Sequence, residues 1–218
     1  MKYIPIVALL LAFTPSAVAQ GAAERAAALK QWKADCSQED PDLRLAYIED
    51  AIINQGATVA RLCARQALES KDPDTRALGL RAALAMTEVI TFPFEMPVQY
   101  EKDMAIALAD DAEAVKNVEN KYSYVKSGHK NFGGAFTFKQ KKVSLEKASG
   151  EWFIKDEYGR FDDRYEAQIV STADTVRVEG SLNGDSITIN LRLGAGGLLT
   201  GEAVYDGHGP YPVIAELL

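Results

Sequence analysis

The chain has 218 residues, of which 31 are acidic and 24 basic, giving a formal net charge of −7. That balance excludes non-specific nucleic-acid binding as the main role, because such binding needs Lys and Arg to displace counterions from phosphates. With only two histidines and two cysteines, there is almost no material for a catalytic triad or a zinc site, and no metal or cofactor is expected.

At the N-terminus Lys2 precedes an apolar stretch from Ile4 to Phe13, and small residues follow up to Ala17-Val18-Ala19. A positive start, a short apolar middle and an A-x-A-like end predict a cleavable export signal over 1–19. The apolar stretch is too short to cross a bilayer, and no transmembrane segment is expected in the mature chain. Cleavage before Gln20 removes one charge, Lys2, and moves the net charge from −7 to −8. The expected location is the periplasm or the medium. There, the pair Cys36 and Cys63 predicts one disulfide, because neither a C-x-x-C spacing nor nearby histidines point to redox or metal chemistry.

Residues 20–128 read as helical. Ala22 to Asp35 is alanine-rich, with Leu29 and Trp32 at helical spacing. Asp40-Pro41 and Asp72-Pro73 each place an N-cap acceptor before a proline at the first helical position. Asn54-Gln55-Gly56 breaks the first of these units into a hairpin whose return helix runs from about Thr58 to Ser70. The prolines in Thr91-Phe92-Pro93-Phe94-Glu95-Met96-Pro97 predict a turn between helices with buried aromatics. Helical pattern resumes from Val98 to Tyr122 and ends near Ser127-Gly128.

Asp40-Pro41-Asp42-Leu43-Arg44 aligns with Asp72-Pro73-Asp74-Thr75-Arg76 at an offset of 32 residues, with Ile48, Ala51 and Ile52 over Leu80, Ala83 and Leu84. A D-P-D-x-R helix start followed by small and apolar residues resembles the opening of HEAT-type repeats over about residues 40–90. That resemblance implies protein binding on a concave solenoid face. Two ordinary capped helices that start alike would read the same way, and two units are fewer than such arrays need.

Residues 129–218 read as β-rich. In Ala135 to Leu145, Phe136 and Phe138 have the opposite parity to Val143 and Leu145, so a bulge near Lys141 would turn all four inward. Trp152 to Tyr158 and Arg164 to Thr172 are further strands. Alternating residues around Asn183-Gly184 predict a hairpin with a type I′ turn, and Leu198 to Tyr205 and Tyr211 to Leu217 complete about seven strands. The whole is an α+β chain: N-terminal helical hairpins, then a C-terminal antiparallel meander closing into a small barrel or curved sheet.

Chemistry is sparse. His129 and His208 neighbour glycines in expected loops, and the spacings Ser123-x-x-Lys126 and Ser144-x-x-Lys147 lack the context of a penicillin-recognising enzyme. Gly194, Gly196 and Gly197 read as turn glycines. Glu151, Asp156, Glu157, Asp162 and Asp163 lie among aromatics, a composition that suits either an acid pair for glycan hydrolysis or a polar hairpin turn. Residues 121–147 hold seven lysines against the single Glu146. Lys139, Lys141 and Lys142, with Tyr122 and Tyr124, are therefore candidates for binding an anionic envelope component or an acidic protein, beside the reading of solvated lysines on an edge strand.

Three functional expectations follow: a non-enzymatic adaptor or binding protein of the cell envelope, a carrier holding an apolar molecule among Phe136, Phe138, Ile189 and Leu191, and an envelope hydrolase using the acidic cluster 151–163.

Overall fold

The computed structural model describes residues 16–144 and 149–217. Residues 1–15 of the expected export signal lie outside the described residues, as do Leu145, Glu146 and Lys147. Four helices come first: α1 (Ser16–Asp35), α2 (Pro41–Asn54), α3 (Ala57–Glu69) and α4 (Pro73–Met86). Both aspartate–proline starts act as read. The Asp40 side chain accepts from the backbone N–H of Asp42 and Leu43, and Asp72 accepts from both the N–H and the hydroxyl of Thr75. The Thr75 bonds also hold the Asp72 carboxyl below its ordinary pKa.

Cys36 and Cys63 form a disulfide with Cα atoms 5.5 Å apart, tying the end of α1 to α3. Around it lies a small cluster of buried Ile48, Ala51, Ala67 and Leu78. Helices α3 and α4 approach so closely at Gly79 that a Cβ there would sit 2.7 Å from Ala67 Cβ and 2.8 Å from the Leu68 nitrogen.

The expected turn at 91–97 is in part a strand. Val89–Pro93 is β1, with Ile90 and Phe92 buried and Val89, Thr91 and Pro93 exposed. Its alternation has period two, and Pro93 is tolerated at the end of an edge strand, where its missing donor costs no ladder bond. The aromatics are buried as expected: Phe92 stacks edge-on against Phe138 and Phe94 lies over Phe136. The helix expected over 98–122 is broken into α5 (Val98–Leu108) and α6 (Ala112–Lys121), because Asp111 caps a new start by accepting from the Ala114 N–H. Helix α7 (Ser123–Asn131) follows, running past the compositional boundary at 128 and placing His129 in a helix, not a loop.

The remaining strands are β2 (Ala135–Ser144), β3 (Ser149–Lys155), β4 (Phe161–Thr172), β5 (Thr175–Leu182), β6 (Asp185–Leu193), β7 (Leu198–Tyr205) and β8 (His208–Glu216). All eight strands pair antiparallel in chain order. The two edges meet where Phe94 bridges Val213 and the Glu95 N–H donates to the Pro212 carbonyl at 2.9 Å, so the sheet is nearly a barrel. The bulge falls between Gln140 and Lys142, and half-buried Val143 packs against the same core that buries Phe136 and Phe138. Asn183 and Gly184 take φ of 56° and 95°, the two positive values a type I′ turn requires.

Trp152, Tyr211, Phe92, Phe136, Phe138 and Ile189 fill the interior. Leu80, Ala83 and Leu84 of α4 join the same core, and Arg76 donates to the Leu193 carbonyl at 2.9 Å, fixing α4 at the β6–β7 end. Toward the other end the Tyr211 hydroxyl donates to the Val125 carbonyl of α7 at 3.0 Å. Burial pushes the Tyr211 phenol up to about 12.

Candidate functional site

The lysine-rich segment is distributed over three elements, and much of its charge is met within the chain. Lys121 pairs with Asp103 at 2.7 Å and Lys126 with Glu119 at 3.0 Å. The bulge in β2 sets Lys141 between Glu166 and Glu151, and the bond to Glu166 raises the lysine pKa. Lys139 and Lys142 lie on the same strand and make no ion pair among the described residues.

The two tyrosines expected on that face part company. Tyr122 is buried and donates to Asp103 at 2.9 Å, whereas Tyr124 is 72% exposed and stacks on His208 with ring centroids 5.0 Å apart. His129 is half-buried with its ring edge-on to Phe94. Both histidines therefore have aromatic neighbours, and no group of three metal-ligating side chains forms among the described residues.

The acidic cluster is mostly committed to the β3–β4 turn. Asp156 is buried and accepts from the backbone N–H of Tyr158 and Arg160 and from the Arg160 guanidinium, bonds that lower its pKa. Arg164 grips Asp162 at 2.7 Å and holds that carboxyl far below its ordinary value. A general acid needs a raised pKa near the working pH, and both of these shift the other way. Glu157 and Asp163 are exposed. An open groove of about 450 Å³ runs between this turn and the α7–β2 turn, with Lys130 and Lys155 balanced by Glu157 and Asp156. Phe136, Phe138, Ile189 and Leu191 are all buried in the continuous core.

Two surfaces of the helical layer emerge that the sequence reading missed. On α2, Ile48 and Ala51 face inward, and the opposite side exposes Leu43 (53%), Tyr47 (38%) and Ile53 (70%). At 3.6 residues per turn these three, with exposed Ala46, span an arc of about 120°. Asp42 and Glu49 flank that arc on one side, while Asp50 and Asn54 lie within it, the Asn54 amide donating to the Asp50 carboxylate at 2.8 Å. The second surface is a groove of about 570 Å³ between α1 and α3, floored by Leu29 and Leu62 and rimmed by Lys30, Lys33, Arg61 and Arg65. The signal for both was periodicity: a helix apolar on two sides in the first case, and i, i+3, i+4, i+7 stripes carrying cations in the second.

Comparison of the chain with protein-family models, with curated proteins and with solved structures finds no match.

Proposed function

We propose that the chain is an exported, non-enzymatic binding or adaptor protein of the cell envelope, and that the outer face of α2 meets a protein partner. The observation that carries this reading is the exposed apolar arc of Leu43, Tyr47 and Ile53 on a helix whose other side is already buried. A single exposed leucine is ordinary, but three large apolar side chains on one exposed helix face, with carboxylates beside and between them, have the mixed character of an interface. Asp42, Glu49 and Asp50 favour a partner that brings basic groups together with its apolar contacts. The resemblance of residues 40–90 to HEAT-type repeats, which implies protein binding on a concave solenoid face, supports a protein partner without singling out this face of α2.

The test is crosslinking and copurification from the native envelope with the triple variant Leu43→Ser/Tyr47→Ser/Ile53→Ser. All three side chains point outward, so the variant keeps the wild-type melting temperature and loses the copurified partner. A parallel Lys139→Glu/Lys142→Glu variant retains the partner if α2 carries the contact. Loss only in the lysine variant would instead return the contact to β2.

A further inference from the structure

The groove between α1 and α3 gathers four cations around an apolar floor. Its α1 side is formed by Leu29, Lys30 and Lys33, and its α3 side by Arg61, Leu62 and Arg65. On each helix the lining residues recur at three- and four-residue steps, so each contributes one continuous stripe, and the two stripes line one groove. The leucines are half-buried at the floor and the four cations are exposed at the rim. None of the four cations forms an ion pair among the described residues, although the full chain has a net charge of −7. Elsewhere Lys121, Lys126 and Lys141 each find a carboxylate, and Lys139 and Lys142 of β2, unpaired among the described residues, do not line this groove.

We infer that this groove binds a single-chain anionic amphiphile, with the acyl chain along Leu29 and Leu62 and a phosphate or carboxylate head held by Arg61, Arg65, Lys30 and Lys33. Four like charges around one opening repel each other, and an anion entering between them converts that repulsion into attraction. Arginines suit such a head group because the guanidinium fork matches two oxygens at once. The apolar floor adds the dependence on a tail. At about 570 Å³ the groove has the size of a small-molecule site. The chain's own residues 1–15 do not fit as occupant, since they carry Lys2 and no carboxylate side chain.

The test is calorimetric titration of the purified protein with dodecyl phosphate below its micelle concentration. Saturable 1:1 binding is expected. Dodecyl maltoside, with the same tail and no charge, and inorganic phosphate, with the charge and no tail, should each bind at least about tenfold more weakly. Arg61→Gln/Arg65→Gln should lower the affinity for dodecyl phosphate by at least about tenfold, while Lys139→Gln/Lys142→Gln leaves it unchanged. Both arginines are exposed, so an unchanged melting temperature is the control for folding. Equal binding of dodecyl phosphate and the maltoside, or of dodecyl phosphate and inorganic phosphate, would overturn the assignment. So would sedimentation with anionic phosphatidylglycerol vesicles without monomer binding, which would make the rim a membrane-facing surface. A wild-type dimer that Arg61→Gln/Arg65→Gln dissociates, with no amphiphile bound, would assign the groove to a second copy.

Discussion

In the barrel, Trp152, Tyr211, Phe92, Phe136 and Phe138 are all fully buried in one cluster that also takes in Leu80 and Leu84 of α4. Among the described residues, the cluster under α1, α2 and α3 buries just Ile48 and Leu78 as large members, with two alanines and the two half-cystines, and half-buried Trp32, Leu45, Ile52 and Val59 close over it. So the first region is held by apolar area and shape, and the second relies on a covalent tie and on close backbone approach. Small residues let helices come near each other, but they bury little area per side chain, and each Å² of apolar surface buried contributes roughly 25 cal/mol. A helical layer built this way keeps its outer faces free, and that is where both the α2 arc and the α1/α3 groove lie.

The contrast is broken most severely by Phe92→Ala. Phe92 is fully buried on β1, against Phe138, and truncation should cost about 3–5 kcal/mol in urea unfolding. A loss below about 1 kcal/mol would mean that β1 is a dispensable edge and that the barrel core ends at β2. Next comes Cys36→Ala/Cys63→Ala, expected to cost about 3 kcal/mol from the loop the bridge closes. Hydrogen exchange should then quicken in α1, α2 and α3 while the β4, β5 and β6 amides keep their protection. Equal loosening of both regions would show that the two clusters unfold as one.

Gly79→Ala sharpens the same comparison from the packing side. A helical alanine is favoured over glycine by about 1 kcal/mol, but here the added Cβ would meet Ala67 Cβ at 2.7 Å. Overpacking outweighs propensity, and a net loss of about 1–2 kcal/mol is expected in thermal unfolding. A stabilised variant would show that α3 and α4 can move apart enough to admit the added methyl group.

Much of the barrel was legible because its signals are local. Asn183-Gly184 fixes a two-residue turn, alternation on both sides fixes the faces, and the parity conflict between Phe138 and Val143 located the bulge at Lys141. The helix starts at Asp40 and Asp72 were legible for the same reason. β1 was missed because its two buried alternating residues, Ile90 and Phe92, are interrupted by Pro93, and its partner β2 starts 42 residues after it ends, at Ala135. The break at Asp111 was missed because the apolar residues on either side keep helical spacing through it. The candidate site was less legible still. Tyr122 and Tyr124 are two apart in sequence, yet the local turn geometry buries one and exposes the other. The groove depends on which faces of α1 and α3 meet, and the disulfide sets that meeting without declaring its angle.

The smallest effect concerns the junction between the two regions, where α5 and α6 are joined by one carboxylate. Asp103 accepts from Lys121 at 2.7 Å, from Gln99 at 2.6 Å and from Tyr122 at 2.9 Å. Lys121 first, then Gln99 and Tyr122, hold the Asp103 pKa at about 2, below its ordinary 3.8. A carboxyl whose pKa is lower in the folded state stabilises that state in its ionised form. The contribution is complete above pH 3.8 and is lost as the pH falls through about 2. Acidification across that window should therefore speed hydrogen exchange in α5 and α6, with the barrel strands lagging behind. In Asp103→Asn the same amides should exchange faster already at neutral pH, and their rates, corrected for intrinsic exchange, should stay flat through the window. An acid profile in the variant identical to that of the wild type would place the pH sensitivity elsewhere and detach α5 and α6 from the role of a carboxylate-held junction.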